Sequence, residues 1–495
     1  MPAATDPIQH VIVLMLENRS FDQMLGILKV EYPELEGIDP TAPRRSNVDH
    51  EGNRFEQIET RETVVDPDPH HDLASVLQQI EAQLPKPKDL APNYSLMERI
   101  WRGLAYLCNV ICSYLKRKRP VLKTLGARPY EGNFVAVYSV QQPPPTTKQR
   151  QQIMAYYPLG FLPAMHALAH AFTICDHWFS SLPGSTWPNR LFVHSGTSLG
   201  RASTPEIWHD FKSYHLYDQP TIYDRLTEAG ITWRIYHDGL PQTLSLANQQ
   251  KRENAACYRK MEHFESDAQH ATEFPQYVFI EPCYKPHGND DHPPNDTMNA
   301  QQLIADVYNA IKANGKLWDS TLLVIIYDEH GGFYDHVTPP DAVPPDGHHV
   351  DYTFTQLGVR VPALLVSPWV GRGVFSKQLD HTSLLRYLSD KWKLGPLGKR
   401  VTAASSFEDA ILSTRRPDNE LPPPLEMPII RMAAAAPEQE TVNENQKGLI
   451  QLAHFLESKT EPEPSVGSKR AMMQEAPPRS QLEVAEDQVQ RFLDG

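Results

Sequence analysis

Val11-Ile-Val-Leu-Met-Leu16 is a continuous apolar run that stops abruptly at Glu17-Asn18-Arg19-Ser20. Thr321-Leu-Leu-Val-Ile-Ile326 stops in the same manner at Tyr327-Asp328-Glu329-His330-Gly331-Gly332. Runs without polar alternation are the pattern of strands buried on both faces of a parallel sheet. Ile231-Thr-Trp-Arg-Ile-Tyr236, ending at His237-Asp238, and Val361-Pro-Ala-Leu-Leu-Val366, ending at Ser367-Pro368, extend the set. Between Tyr277-Val-Phe-Ile280 and the Thr321 run, residues 296–314 carry Leu303, Ile304, Val307 and Ile311 at helical spacing, with Gly315 as the expected stop. This is a βαβ unit, whose right-handed crossover makes its strands parallel. The fold class is therefore α/β, and the polar strand ends are expected to collect along the ligand-binding edge of the sheet.

The chain has 495 residues, enough at ~150 residues per domain for one large α/β domain with appendages. Its 47 basic and 61 acidic residues give a net charge of −14, which disfavours a nucleic-acid partner. The N-terminus shows no basic, apolar and small-residue signal pattern, so a cytoplasmic location is expected, with export by a signal-independent route left open. Five cysteines, only Cys108 and Cys112 close together, suggest neither a disulfide framework nor a zinc knuckle. No stretch reaches the ~18 apolar residues of a spanning helix. Residues 104–115 come nearest, and they end in Lys116-Arg117-Lys118-Arg119. They read either as a packed helix with a dipole-matched basic end or as an interfacial anchor making peripheral membrane contact. Residues 417–495 shift to Pro, Glu, Gln and Ala and read as a partly disordered tail, with one amphipathic helix over 443–458 docking back on the body.

Glu17, Asn18, Asp328 and Glu329 together offer three carboxylates and one amide oxygen, a hard donor set suited to a divalent cation. The bland alternative at each end is a solvated strand terminus with helix caps. In Pro183-Gly-Ser-Thr-Trp-Pro-Asn-Arg190, Thr186 follows a glycine and precedes Pro188, as in a loop entering a helix whose first N–H groups face an anion. A metal would activate the Thr186 hydroxyl and Arg190 would clamp a phosphoryl oxygen, while an ordinary Thr N-cap explains the same residues. His71, His237 and His292 are candidate acids, bases or phosphate donors.

The stretch from Ile8 to Gly26, centred on Glu17-Asn-Arg-Ser-Phe-Asp22, resembles the opening of the bacterial phosphoesterase family that contains non-specific phospholipases C and a class of acid phosphatases. Tyr327-Asp-Glu-His-Gly-Gly-Phe-Tyr-Asp-His336 resembles its second signature. Weaker matches follow in the family's order: Cys175-Asp-His-Trp-Phe179 leading into Thr186-Trp-Pro-Asn-Arg190, then Asp291-His-Pro-Pro294 and Asp380-His-Thr-Ser383. The resemblance implies an alkaline-phosphatase-like three-layer α/β/α sandwich with a largely parallel central sheet over residues 1–416. It implies one divalent metal ion, of unspecified identity, held by Glu17, Asn18, Asp328, Glu329 and Thr186. Thr186 would be the nucleophile of a covalent phospho-enzyme. His237, His292 and His71, or its neighbour His70, would bind phosphoryl oxygens or protonate the leaving group. Related sulfatases open a C/S-x-P-x-R motif with a modified Cys or Ser, and Thr186 stands at that place here. Residues 93–125 and the tail match nothing in the family.

The leading expectation is a phosphoric ester hydrolase of phospholipase C type acting on phospholipid headgroups. An acid phosphatase acting on phosphomonoesters is the alternative. From other classes, a catalytically silent scaffold and a membrane-surface binding protein remain.

Overall fold

The computed structural model describes residues 6–80, 132–205, 217–270, 274–427, 442–460 and 478–495. The basic-ended stretch 104–119, the Cys108/Cys112 pair and the whole of 93–125 lie outside them. Among the described residues no helix is long and apolar enough to cross a membrane.

One sheet organises the chain. Its strands are β1 (His10–Leu16), β2 (Thr173–Ile174), β3 (Trp233–His237), β4 (Tyr258–Lys260), β5 (Tyr277–Ile280), β6 (Thr321–Tyr327), β7 (Ala363–Val366) and β8 (Gly373–Val374). They lie in the order β8-β2-β7-β6-β1-β5-β3-β4. From β6 to β4 every pairing is parallel. Strand β1 is inserted between β5 and β6, so the expected βαβ crossover spans one intervening strand.

Every residue of β1 and of β6 is buried, which requires cover on both faces. The cover comes from α1 (Pro163–Ala171), α2 (Thr186–Ser195), α3 (Thr297–Ala313) and α4 (His381–Trp392), with α3 packed on α1 and α4 on α2. The result is the three-layer α/β/α sandwich. Two further helices, α5 (Glu444–Thr460) and α6 (Pro478–Asp494), pack on each other. They share one hydrophobic core with the sheet through Leu449, Leu452, Leu456, Leu482 and Val489.

Two expectations need correction. The strand ending at Ser367 runs antiparallel to β6, so its polar end lies at the opposite edge of the sheet. There the Ser367 hydroxyl donates to the carbonyl of Thr321, the first residue of β6, at 2.6 Å. The reason is topological: no helix lies between Tyr327 and Ala363, and a parallel return would need a crossover. Gly315 does not stop α3 either. Asn314 leaves the helical region at φ −104°, ψ 100° and caps the next turn, which Gly315 opens.

The two long sequence signatures are braced together by a buried ion network. Arg360 donates from Nε to Asp335 Oδ1 at 2.9 Å and from Nη2 to Asp22 Oδ1 at 3.0 Å. His336 lies 2.8 Å from Asp22 Oδ2 through Nδ1 and 2.8 Å from Glu36 Oε1 through Nε2. Burial alone would raise the Asp22 carboxyl, but His336 and Arg360 hold it down at about 2. Burial alone would lower His336, and Asp22 overrides it to hold the imidazole above its ordinary value.

Removing the shared guanidinium leaves buried Asp335 with backbone amides alone and Asp22 with His336 as its remaining cation, so Arg360→Met is expected to cost about 3–5 kcal/mol in denaturant unfolding. His336 has its pKa raised by folding, so its contribution is complete below its unfolded value of ~6.5 and fades as pH rises through the folded value. The stability gap between wild type and His336→Asn should therefore be widest near about pH 5–6 and shrink on going alkaline. A gap that stays constant up to about pH 10 would contradict the network.

Candidate active site

Strands β1 and β6 pair in register from His10 opposite Thr321 to Leu16 opposite Tyr327. The residues that follow, Glu17-Asn18 and Asp328-Glu329, are thereby delivered side by side, all four fully buried. The Asp328 amide donates to the Leu16 carbonyl at 3.1 Å, and the Asn18 amide donates to Asp328 Oδ1 at 3.1 Å. Asn18 turns at φ 59°, a left-handed conformation that asparagine tolerates. Gly331 makes the approach possible: at φ +63° it carries no Cβ, and one placed there would sit 2.2 Å from the Asn18 carbonyl oxygen. A Cβ on Gly332 would likewise meet Pro69 Cβ at 2.8 Å, so this glycine admits the loop that carries His71.

Thr186 is the first residue of α2 and is buried. The loop before it is stitched by Asn189, whose Nδ2 donates to the carbonyls of Leu182, Gly184 and Ser185. Four residues on, Arg190 shares the helix face of Thr186. Its Nη2 lies 3.3 Å from Glu17 Oε1 and its Nε 3.2 Å from Asp328 Oδ2. Thr186 thus begins one helical turn from the point where α2 meets the carboxylates. Arg190 is not free to clamp a phosphoryl oxygen as expected, because Nη1 also donates to Tyr284 Oη at 2.8 Å and Nη2 to the Met15 carbonyl at 3.2 Å. It is a buried brace under the acidic cluster.

The donor set fits a divalent cation. Asp290 joins the cluster, its carbonyl accepting the Glu17 amide at 2.8 Å. Burial pushes the carboxyls of Asp328 and Asp290 up to about 7 each, and raises that of Glu17 well above the carboxylate range despite Arg190. Negative charge exceeds what one guanidinium balances. Glu17 Oε2, Asn18 Oδ1 and Glu329 Oε1 are buried without a hydrogen-bond partner. Three unpartnered oxygens, from both strand ends, are the atoms a hard cation would take.

Beside the cluster, Asp68, His71 and His292 present ligand atoms within 4.8 Å of one another. The two rings stand edge to face at 5.6 Å. His71 lies 3.3 Å from Asn18 Nδ2 and 4.0 Å from Glu329 Oε1, so His71 rather than His70 faces the strand ends. Burial would lower His71, but Glu329 and Asp68 carry it up to about 10. Burial and the neighbouring His71 push His292 down to about 3. His292 Nδ1 lies 2.6 Å from the Pro293 carbonyl, which leaves the unpartnered Nε2 to face Asp68 Oδ2 at 3.8 Å. His237 stands apart. It ends β3, two strands from β1, where its Nδ1 accepts the Gly239 amide at 3.2 Å and its ring meets Tyr258 edge-on.

Besides Asp290, sequence reasoning missed three further contributors. Asp68 completes the histidine pair, and its place within Asp66-Pro-Asp-Pro-His-His71 was the available signal. His381 holds the strand end, its Nε2 donating to the Asp328 carbonyl at 2.7 Å while Trp178 Nε1 donates to its Nδ1 at 3.3 Å. These residues lie in two of the weaker matches, Asp380-His-Thr-Ser383 and Cys175-Asp-His-Trp-Phe179. Asn445, from α5, donates to Glu17 Oε1 at 2.8 Å, and nothing in the composition of the tail pointed to it.

The chain was compared with known proteins. The model of the phosphoesterase family matches residues 8–395. Non-specific phospholipase C3 of Arabidopsis thaliana is 31% identical over 490 residues, covering 92% of this chain and 83% of that protein. Non-hemolytic phospholipase C of Pseudomonas aeruginosa is 31% identical over 283 residues, covering 49% of this chain and 40% of that protein. Relatives thus come from plants as well as bacteria, and the bacterial label is too narrow. Among solved structures, a protein in the alkaline phosphatase superfamily from Vibrio parahaemolyticus aligns with a TM-score of 0.32 and 12% identity, over 50% of this chain and 65% of that one. A match that spans most of the chain and includes both strand-end signatures identifies this chain as a member of the phosphoesterase family, a phosphoric ester hydrolase.

Proposed function

We propose that this hydrolase acts as a phospholipase C-like phosphodiesterase, cleaving the phosphate ester of phospholipid headgroups through a Thr186 phospho-enzyme. One observation carries the reading: at the paired ends of β1 and β6, Glu17, Asn18 and Glu329 each keep a buried oxygen without a hydrogen-bond partner, and the helix that Thr186 opens meets Glu17 and Asp328 through Arg190. Relatives named as phospholipases C, matched over most of their length, support the lipid diester.

Glu17, Asn18, Asp328 and Glu329, with the Thr186 hydroxyl, would hold one divalent ion. Such an ion supplies charge stabilisation to the phosphoryl oxygens and lowers the pKa of a coordinated hydroxyl. Thr186 Oγ attacks phosphorus, and the bond to the diacylglycerol oxygen breaks as that oxygen takes up a proton. Water then attacks the phosphothreonine, releasing the phosphorylated headgroup and restoring the hydroxyl. Of the N-terminal amides of α2, that of Trp187 donates to Thr204 Oγ1 at 3.4 Å and that of Asn189 to the Ser185 carbonyl at 3.5 Å, and Pro188 has none, so the Thr186 amide is the one that would receive a phosphoryl oxygen. His71, beside Glu329, would donate a proton to the leaving oxygen, and His292, whose Nε2 has no hydrogen-bond partner, would accept the proton of the attacking hydroxyl or water.

Two variants and a pair of substrate assays test this. Thr186→Ala should lower turnover of p-nitrophenylphosphorylcholine on the order of 10³-fold or more even at saturating metal, which the four strand-end residues would still hold more weakly; full retention of activity would exclude the mechanism. His292→Gln should lower kcat by about 10²–10⁴-fold. In parallel assays p-nitrophenyl phosphate should be the poorer substrate, and phosphatidylcholine turnover should rise once vesicles form. Cleavage of the monoester alone would assign an acid phosphatase instead.

A further inference from the structure

The first turn of α5 lies over the acidic cluster, although the helix belongs to a segment beyond the matched family region, which ends at residue 395. Its position is fixed from several sides. Gln446 Nε2 donates to the Tyr284 carbonyl at 2.8 Å. The Thr204 amide donates to Glu444 Oε1 at 3.2 Å, and Asn443 Nδ2 approaches His292 Nδ1 at 3.4 Å. Gly448 lets the helix close on α2, since a Cβ there would sit 2.9 Å from Trp187 Cζ2. Leu449, Leu452 and Leu456 anchor the rest in the core.

Within this turn Asn445 does something no neighbour does. Its Nδ2 donates to Glu17 Oε1 at 2.8 Å, and its Oδ1 accepts from Trp187 Nε1 at 2.8 Å. One buried amide therefore ties the first carboxylate of the cluster to the residue directly after Thr186. Glu17 Oε1 receives Asn445 and Arg190 together, which fixes the plane of the carboxylate and leaves Oε2 as its unpartnered atom. Only a side chain with a donor and an acceptor side by side can do this. An aspartate would set a second carboxylate against Glu17, and an apolar residue would strand the indole N–H and leave Glu17 Oε1 with Arg190 alone.

We propose that Asn445 is a positioning residue of the metal centre, holding Glu17 so that Oε2 faces the ion and locking it to the helix of Thr186 through Trp187. The inference rests on the metal-binding reading given above, and it makes the C-terminal segment a working part of that centre. Groups that orient a metal ligand typically contribute 10–100-fold to metal affinity.

The test is Mn²⁺ titration of the full chain, after chelator treatment, by calorimetry. Asn445→Ala and the bulk-conserving Asn445→Leu should each weaken Mn²⁺ binding by about 10–100-fold. Their melting temperatures in EDTA should fall by only a few degrees, the cost of leaving the Trp187 indole N–H without its acceptor. Trp187→Phe, which keeps the ring and loses the N–H, should weaken binding in the same direction and add little in the Asn445→Ala background. Gln446→Ala, in the same turn but not touching Glu17, should stay within about twofold of wild type, and so serves as the control for helix docking. Wild-type affinity in both Asn445 variants would overturn the proposal, as would an equal loss in Gln446→Ala. If Glu17→Gln also binds Mn²⁺ as wild type does, the metal centre itself is misplaced and this inference falls with it. If Glu17→Gln loses binding and the Asn445 variants do not, only the role of Asn445 is wrong.

Discussion

The in-register parallel pairing of His10–Leu16 with Thr321–Tyr327 is the constraint on which the rest depends. Parallel strands end at the same edge, and equal register makes them end at the same height, so Glu17 and Asp328 are placed together by backbone hydrogen bonds rather than by their own affinity. Their own affinity runs the other way: several carboxylates and one guanidinium share a buried site. Apolar burial along both strands supplies the free energy that holds the carboxylates there. A cation at that edge would recover part of that cost.

Each long signature then does two jobs. In Glu17-Asn-Arg-Ser-Phe-Asp22, the first two residues face the oxygen cluster and the rest fasten the loop. Arg19 Nε donates to the Asp291 carbonyl at 3.0 Å with its guanidinium 4.9 Å from the Phe333 ring centroid. Ser20 Oγ donates to the Tyr334 carbonyl at 2.8 Å, and Phe21 lies beneath Arg360 at 4.5 Å. Asp22 closes the ion network with Asp335 and His336 of the second signature. The signatures are long because positioning two buried polar side chains takes a whole loop, and each loop is held by the other.

Much of this was legible in the residues. Uninterrupted apolar runs announced β1 and β6, four apolar side chains at helical spacing announced α3, and Gly-Ser-Thr followed by Pro188 announced the start of α2. These are local signals. What was not legible depends on tertiary placement. The direction of β7 is set by the absence of a crossover, which a short apolar run does not reveal. The demotion of Arg190 from clamp to brace follows from Met15 and Tyr284, residues distant in sequence that claim its nitrogens. Asp68 was in plain view, yet only folding shows it beside His292. Asn445 sits in a segment whose composition reads as a tail, and its partners lie hundreds of residues earlier.

The central claim is that the oxygen cluster at the β1/β6 edge binds one divalent ion. Elemental analysis of purified, exhaustively dialysed protein, after reloading with a single divalent metal, tests it most directly. The account predicts one equivalent of ion per chain for wild type and for Thr186→Ala, and close to none for a folded Glu17→Gln/Asp328→Asn double variant. Wild type without bound ion, or a double variant that keeps a full equivalent, would contradict it.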